Sequence, residues 1–188
     1  MVLPAEFAGI QLLVVAEGLV VLRRGVPGSS RRTITCYASA GGLILPPGED
    51  EVVVALSDAT LRLVSTSARR RLLASPESAS VLLDALAATL RQKHTTIANI
   101  ARLHHVDRVR ETLMELARAH GRVGAETIRL DFPVTHDLLA EMTGSARETV
   151  TRALDQLQRE GFVVRHGRTY SIHVPPESLS VTPRTVRQ

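Results

Sequence analysis

The run from Val134 to Arg168, VTHDLLAEMTGSARETVTRALDQLQREGFVVRHGR, constrains the fold more than any other stretch, because its punctuation reads as helix, tight turn, helix and small hairpin. Thr135 is expected to cap a short helix that carries Leu138, Leu139 and Met142 on one side, and Gly144 stands where a left-handed C-terminal residue belongs. Ser145 is expected to open the second helix, with Glu148 three positions on in the S-x-x-E capping-box pattern.

At about 100° per residue, Val150, Ala153, Leu154 and Leu157 share one arc of that second helix, and Arg147, Glu148, Thr151, Arg152 and Asp155 share the other. One arc is core. The other places guanidinium groups near the helix N-terminus, where the macrodipole disfavours cations, so an anion outside the fold would explain them. Arg matches guanine O6 and N7 in the major groove, and Glu accepts from cytosine N4, which suits a recognition helix. The same pattern also fits an ordinary amphipathic surface helix with a Glu148–Arg152 pair worth a few tenths of a kcal/mol.

The wording separates the two readings. G-S-A-R-E-T-V-T-R-A-L, followed by L-Q-R-E-G-F-V and H-G-R-T, closely resembles the winged helix-turn-helix of the Crp/Fnr family of bacterial transcription regulators, most specifically over residues 134–174. The resemblance implies that Arg147, Glu148 and Arg152 read base edges of a TGTG/CACA-like half-site. It implies that Thr149, His166 and Gly167 contact phosphates, with Arg168 as the basic residue of the wing; Thr135, His136, Ser145 and Thr151 complete the expected backbone-contacting set. His136 replaces a longer polar or basic residue of the family's catabolite-activator branch, and Ala146 replaces a hydroxyl.

The remainder of the chain bounds the setting. Formal net charge is +4 over 188 residues, and most of the 23 basic residues are Arg, the better side chain for bidentate recognition of phosphate and guanine. A single cysteine, Cys36, excludes a disulfide framework and a four-cysteine metal site within one chain, and a reducing cytoplasm is the expected setting. The apolar run Ile10–Leu22 is broken by Glu17 and Gly18 and is too short to span a bilayer, so neither a membrane segment nor a signal peptide is expected. No nucleophile elbow, phosphate loop, H-E-x-x-H or paired-carboxylate pattern points to an enzyme.

Between Gln11 and Thr66, short β-branched runs (Leu12–Val15, Leu19–Arg23, Thr33–Tyr37, Val52–Leu56 and Leu61–Val64) alternate with turn formers such as Pro27-Gly28 and Pro46-Pro47-Gly48, which predicts a small antiparallel barrel or roll. Here the family resemblance implies a sensor domain of the cyclic-nucleotide-binding type. The chain starts close to the E-G-L-V-V-L-R strand, so the implied jelly roll is shortened. The region where that branch holds a phosphate with an Arg runs GGLILPPGEDEVVVALSD over residues 41–58, with no arginine and three consecutive acids. Cyclic nucleotide is therefore not expected, nor any other cofactor, and a buried phosphate would lack a partner. Arg69, Arg70 and Arg71 are expected in a solvated loop, a small acidic effector there being the alternative.

Ser75-Pro76-Glu77 is a strong helix start, and Leu83, Leu86, Leu90, His94, Ile97, Ala101 and His104 follow at spacings of three and four. Some 30 residues at 1.5 Å each give about 45 Å, more than one small core needs, so this stripe is expected to form a homodimer seam; the alternative is packing on the chain's own roll. The adjacent His104-His105 cannot easily ligate one ion from one helix face, and no metal or haem site is expected. A redox role for Cys36 has no neighbouring support in the sequence.

Asp107 is expected to cap the next helix, with Val109, Leu113, Leu116 and Ala117 inward up to Gly121, and a hinge is expected at 105–107. Thr127–Phe132 reads as a strand, and Phe162–Arg165 with Tyr170–Val174 as the wing about the His166-Gly167-Arg168 turn. The expected class is α+β: a β-roll over 1–74, a dimerisation helix over 75–106, a winged helix-turn-helix over 107–175 and a tail over 176–188. The expected function is a homodimeric, sequence-specific regulator with double-stranded DNA and RNA polymerase as partners. The alternative is a sensor gated by an effector or a redox or haem signal at the β-domain.

Overall fold

A computed structural model describes residues 7–124 and 126–173. Five of the six N-terminal strands are those marked by the β-branched runs: β1 (Ile10–Glu17), β2 (Leu19–Gly25), β3 (Arg32–Ser39), β5 (Glu51–Ala55) and β6 (Thr60–Ser65). The sixth, β4 (Leu43–Ile44), is a two-residue strand. They form two antiparallel three-stranded sheets, ordered β4-β1-β6 and β3-β2-β5.

Strand β2 decides how the molecule is assembled. Val20 and Leu22 point to the first sheet and pack with Leu13, Val15, Cys36, Ala38, Ile44 and Val53, so the interior of the roll is filled with side chains. Leu19 and Val21 point the other way and join a second core with residues of the C-terminal half. A central strand buried on both faces reads as an unbroken apolar run, as L-V-V-L does.

Three helices follow the roll. Helix α1 (Thr66–Ala74) is capped by Ser65, whose hydroxyl accepts from the Ala68 N–H; Arg69–Arg71 therefore sit on a helix and not in the expected loop. Helix α2 (Pro76–Ile100) starts as the sequence foretells, with the Ser75 hydroxyl accepting from the Ser78 N–H and Pro76 in the first turn. Its 25 residues span about 37 Å. It stops at Ile100, short of the expected 106, and α3 (His105–His120) starts with His104, not Asp107, at the cap. Asp107 lies instead in the first turn of α3, where a carboxylate favours the positive end of the dipole.

The C-terminal sheet orders β7 (Gly121–Val123), β8 (Thr127–Leu130), β10 (Thr169–His173) and β9 (Val163–His166), with α4 (His136–Thr143) and α5 (Arg147–Arg159) between β8 and β9. Helices α3, α4 and α5 enclose Val109, Leu113, Leu116, Leu138, Leu139, Val150, Leu154 and Leu157 with Tyr170 and Ile172 of the hairpin. Val174 and the expected tail at 176–188 lie outside the described residues.

The two halves are in contact across the place where a hinge is expected. Leu19, Val21, Ile34 and Tyr37 of the roll share one core cluster with α3, α4 and α5. A bulge in β3 at Thr35, between the pairs Leu22–Cys36 and Arg23–Ile34, turns a carbonyl outward, and Lys93 Nζ of α2 donates to it at 3.1 Å. Tyr37 Oη donates to Glu115 of α3 at 3.2 Å, and burial raises the pKa of both groups, so the phenol keeps its proton. Among the described residues no helix is long and apolar enough to cross a membrane.

Candidate nucleic-acid interface

The helix-turn-helix is built by local chemistry. Thr135 Oγ1 accepts from the Leu138 N–H at 3.0 Å to start α4, and Gly144 closes it at φ 62° and ψ 26°. A β-carbon in that left-handed region is costly, so the tight turn into α5 depends on glycine.

Ser145 behaves differently from expectation. Helix α5 starts at Arg147 with Ala146 at the cap position, which offers no side-chain hydrogen bond, so the capping box with Glu148 does not form. The Ser145 side chain is buried, with Oγ 3.1 Å from His105 Nδ1 of α3. The serine ties the turn to α3, and the first N–H groups of α5 are left without a side-chain acceptor. A helix start of that kind suits an external anion.

The arcs of α5 separate as periodicity predicts. Val150, Ala153, Leu154 and Leu157 are at most 2% exposed, whereas Arg147, Glu148, Arg152 and Asp155 are exposed. Arg147 Nε lies 3.5 Å from Asp137 of α4, both side chains about two-thirds exposed, so the pair is readily exchanged for another partner. The wing's His166, Gly167 and Arg168 are exposed at the β9–β10 turn, and the Arg168 carbonyl accepts from the Val134 N–H at 2.9 Å, which fixes the turn to the start of α4.

His136 and Thr151 face each other across α4 and α5, with His136 Nδ1 2.8 Å from Thr151 Oγ1. The Thr151 hydroxyl donates to the Arg147 carbonyl at 3.0 Å, and Tyr170 Oη lies 3.5 Å from His136 Nε2. A neutral ring protonated at Nδ1 satisfies all three groups. Desolvation, reinforced by Arg165 and Arg147, lowers the imidazole pKa and favours that neutral form. Thr149 is half-buried, and Thr135 is exposed at the start of α4.

On α2, Leu83, Leu86, Leu90, His94 and Ile97 are all exposed, an apolar stripe without a partner in the single chain. Ala101 is the C-cap of α2, with helical backbone and its N–H still bonded to the Ile97 carbonyl, whereas His104 is extended in the connection to α3 and does not continue the stripe in helical register.

Two features escaped the sequence reading. The β2–β3 hairpin of the roll grips α4: Arg23 Nε pairs with Glu141 Oε2 at 2.7 Å, and Thr33 Oγ1 donates to the Glu141 carbonyl at 3.2 Å. His120, at the end of α3, sits edge-on between Tyr37 and Phe132. The cluster Ser29-Ser30-Arg31-Arg32 and the aromatic residues were visible, but not what they would meet.

Comparison with known proteins agrees with this architecture. Residues 107–177 match the Crp-like helix-turn-helix domain. The global nitrogen regulator of Synechococcus elongatus is 29% identical over 57% of this chain and 48% of its own length, so the chain spans about half of that relative. The CRP-like cAMP-activated global transcriptional regulator of Mycobacterium tuberculosis is 25% identical over 87% of this chain and 76% of its own. In fold, a CRP-family transcriptional regulator from Thermus thermophilus superposes with a TM-score of 0.75 at 21% identity, over 92% of this chain and 87% of that one. Residues 107–177 are a Crp-like helix-turn-helix domain, and the chain is similar over most of its length to a CRP-like transcriptional regulator and shares the fold of a CRP-family one.

Proposed function

We propose that this chain is a homodimeric, sequence-specific DNA-binding transcription regulator that reads a pseudo-palindromic TGTG/CACA-like site through α5. The observation that carries the reading is the exposed face of α5. Its Arg147, Glu148 and Arg152 stand on a base of Val150, Ala153, Leu154 and Leu157 that is almost wholly buried, so the base-reading groups are presented by a rigid support. Thr149, His166, Gly167 and Arg168, with Thr135 at the start of α4, are the proposed phosphate contacts; His136 and Thr151 orient each other and hold the wing to α5. Ser145 serves through its buried bond to His105 and not as a phosphate donor.

The exposed stripe Leu83, Leu86, Leu90 and Ile97 on α2 supports a dimer seam, with His94 alongside it. The division proposed is a β-roll to residue 74, the dimer helix, and the winged domain from 107, acting in the cytoplasm with RNA polymerase as the further partner.

DNA competence without cyclic nucleotide is supported by the roll itself. Leu13, Val15, Val20 and Ile44 fill the space between the sheets, and residues 41–58 contain no arginine to pair a phosphate. Burial raises the pKa of the Cys36 thiol, which disfavours the reactive thiolate and hence a redox signal at that residue.

Selection of bound duplexes from a random pool, with purified protein and no added ligand, tests the reading. Recovery of a palindrome with TGTG and CACA halves is the expected result. Recovery of nothing above background from a protein shown dimeric by light scattering would reject ligand-free DNA reading.

A further inference from the structure

The β2–β3 hairpin ends beside the helix-turn-helix. Its tip, Val26-Pro27-Gly28-Ser29, is a tight turn with proline second and Gly28 third at φ 72°, closed by the Ser29 N–H donating to the Val26 carbonyl at 3.1 Å. The hairpin is anchored on α4 and the turn that follows it. Arg23 holds Glu141, Thr33 donates to the Glu141 carbonyl, and Arg31 Nη2 reaches the Gly144 and Ser145 carbonyls at 3.4 Å each.

Between hairpin and motif lies an open cleft of about 450 Å³, whose lining includes Ser30, Arg31, Arg32, Asp137, Ala146 and Arg147. Three guanidinium groups therefore face one space. Asp137 is paired with Arg147, and Glu141, the other carboxylate lining the cleft, is paired with Arg23, so Arg31 and Arg32 leave a positive excess. Among the described residues neither Arg31 nor Arg32 forms an ion pair. The uncapped start of α5 opens beside them at Ala146.

The position of the cleft identifies its partner. In a helix-turn-helix bound to a duplex the first helix crosses the phosphate backbone while the second enters the major groove. Here α4 is that first helix, and it is bracketed by two hairpins: the wing at its N-terminal end, through Tyr170 and His136, and β2–β3 at its C-terminal end, through Glu141 and Gly144.

We propose that the β2–β3 hairpin is a second DNA-contacting element, in which Arg31 and Arg32 bind backbone phosphates beside the base pairs read by α5. The inference rests on the DNA reading of α5 and extends it to a part of the chain outside the winged domain. It makes the β-roll a direct contributor to affinity without any contribution to sequence preference, since phosphate contacts carry no base information.

The test measures binding of the full chain to its selected palindrome and to an unrelated duplex of the same length, across a salt series, for the unaltered protein, R31Q/R32Q, R32Q and R147A. Each lost phosphate contact lowers the salt slope by about 0.9, so R31Q/R32Q is expected to lose about 1 to 2 from the slope and to weaken equally on both duplexes. R32Q, which removes a side chain with no intramolecular ion pair, is expected to lose about one contact's share without disturbing the turn held by Arg31. In ethylation interference, one or two discrete phosphate positions should disappear for R31Q/R32Q with the remaining pattern unchanged.

An unchanged slope and interference pattern in both hairpin variants, with R147A still losing discrimination, would overturn this inference and leave the DNA reading standing. No duplex binding by the unaltered protein would overturn both. Unchanged DNA binding with a loss of transcription in vitro would reassign the hairpin to a protein contact.

Discussion

Replacing His120 with Phe should remove most of a pH dependence in stability that one side chain imposes. The ring lies edge-on to Tyr37 and Phe132, with centroid distances of 5.9 and 6.3 Å, and its Nε2 is buried with no hydrogen-bond partner. A proton there would bring a charge into an aromatic slot with no counter-ion, and burial pushes the imidazole down from 6.5 to about 4. Between these two values the unfolded chain binds more protons than the folded one, so stability rises with pH. The contribution is fully present above the unfolded value, declines as pH falls below it, and levels off below about 4.

At about 1.4 kcal/mol per pH unit the whole shift amounts to about 3 kcal/mol, of which about 1.2 kcal/mol is lost between pH 7 and 5.5. Urea unfolding of the unaltered protein and His120→Phe at steps from pH 7.5 to 4.5 measures this directly. Phenylalanine keeps the ring contacts and removes the titration, so the stability difference between the two proteins should change by about 1 kcal/mol from pH 7 to 5.5 and by about 2 kcal/mol to pH 4.5. A difference that stays constant over that range would refute the reasoning, because all other groups titrate in both proteins.

Three other outcomes are expected. Arg147→Ala should lose about 1–3 kcal/mol of discrimination between the selected site and one altered at its contacted base pair, and titrations that still separate the two sites as before would remove Arg147 from the base-reading face. Leu90→Lys, in the middle of the exposed stripe on α2, should shift the chain from dimer to monomer in light scattering at micromolar concentration; an unchanged mass would place the seam elsewhere. Gly144→Ala should cost about 1 kcal/mol, because Gly144 sits at φ 62°, and lower the melting temperature by about 2–4 °C; an equal or higher melting temperature would mean the turn tolerates a β-carbon.

What the sequence determined by itself is the set of elements whose causes are local. The period of Val150, Ala153, Leu154 and Leu157, the Thr135 cap, the left-handed Gly144 and the Ser75-Pro76 helix start each depend on residues within a turn or two, and all take the form their spacing foretells. The β-branched runs mark the strands for the same reason, since alternation and turn formers are short-range signals. The exposed arc of α5, with Arg147, Glu148 and Arg152, was legible because burial of one face leaves the other to solvent.

Tertiary structure decided whatever depends on residues far apart in the chain. Ser145 reads as a helix cap, yet its hydroxyl turns to His105, forty residues away, and the capping box is lost. The L-V-V-L run of β2 says only that both faces are buried; that one face lies inside the roll and the other joins the core of the C-terminal half follows from the packing of whole sheets and helices. Arg23 and Glu141 stand 118 positions apart, and nothing in either local sequence selects the other. Such pairs are chosen by the assembled fold, because a charged side chain on a surface can meet many partners and only the docking of the hairpin on α4 brings these two within 2.7 Å.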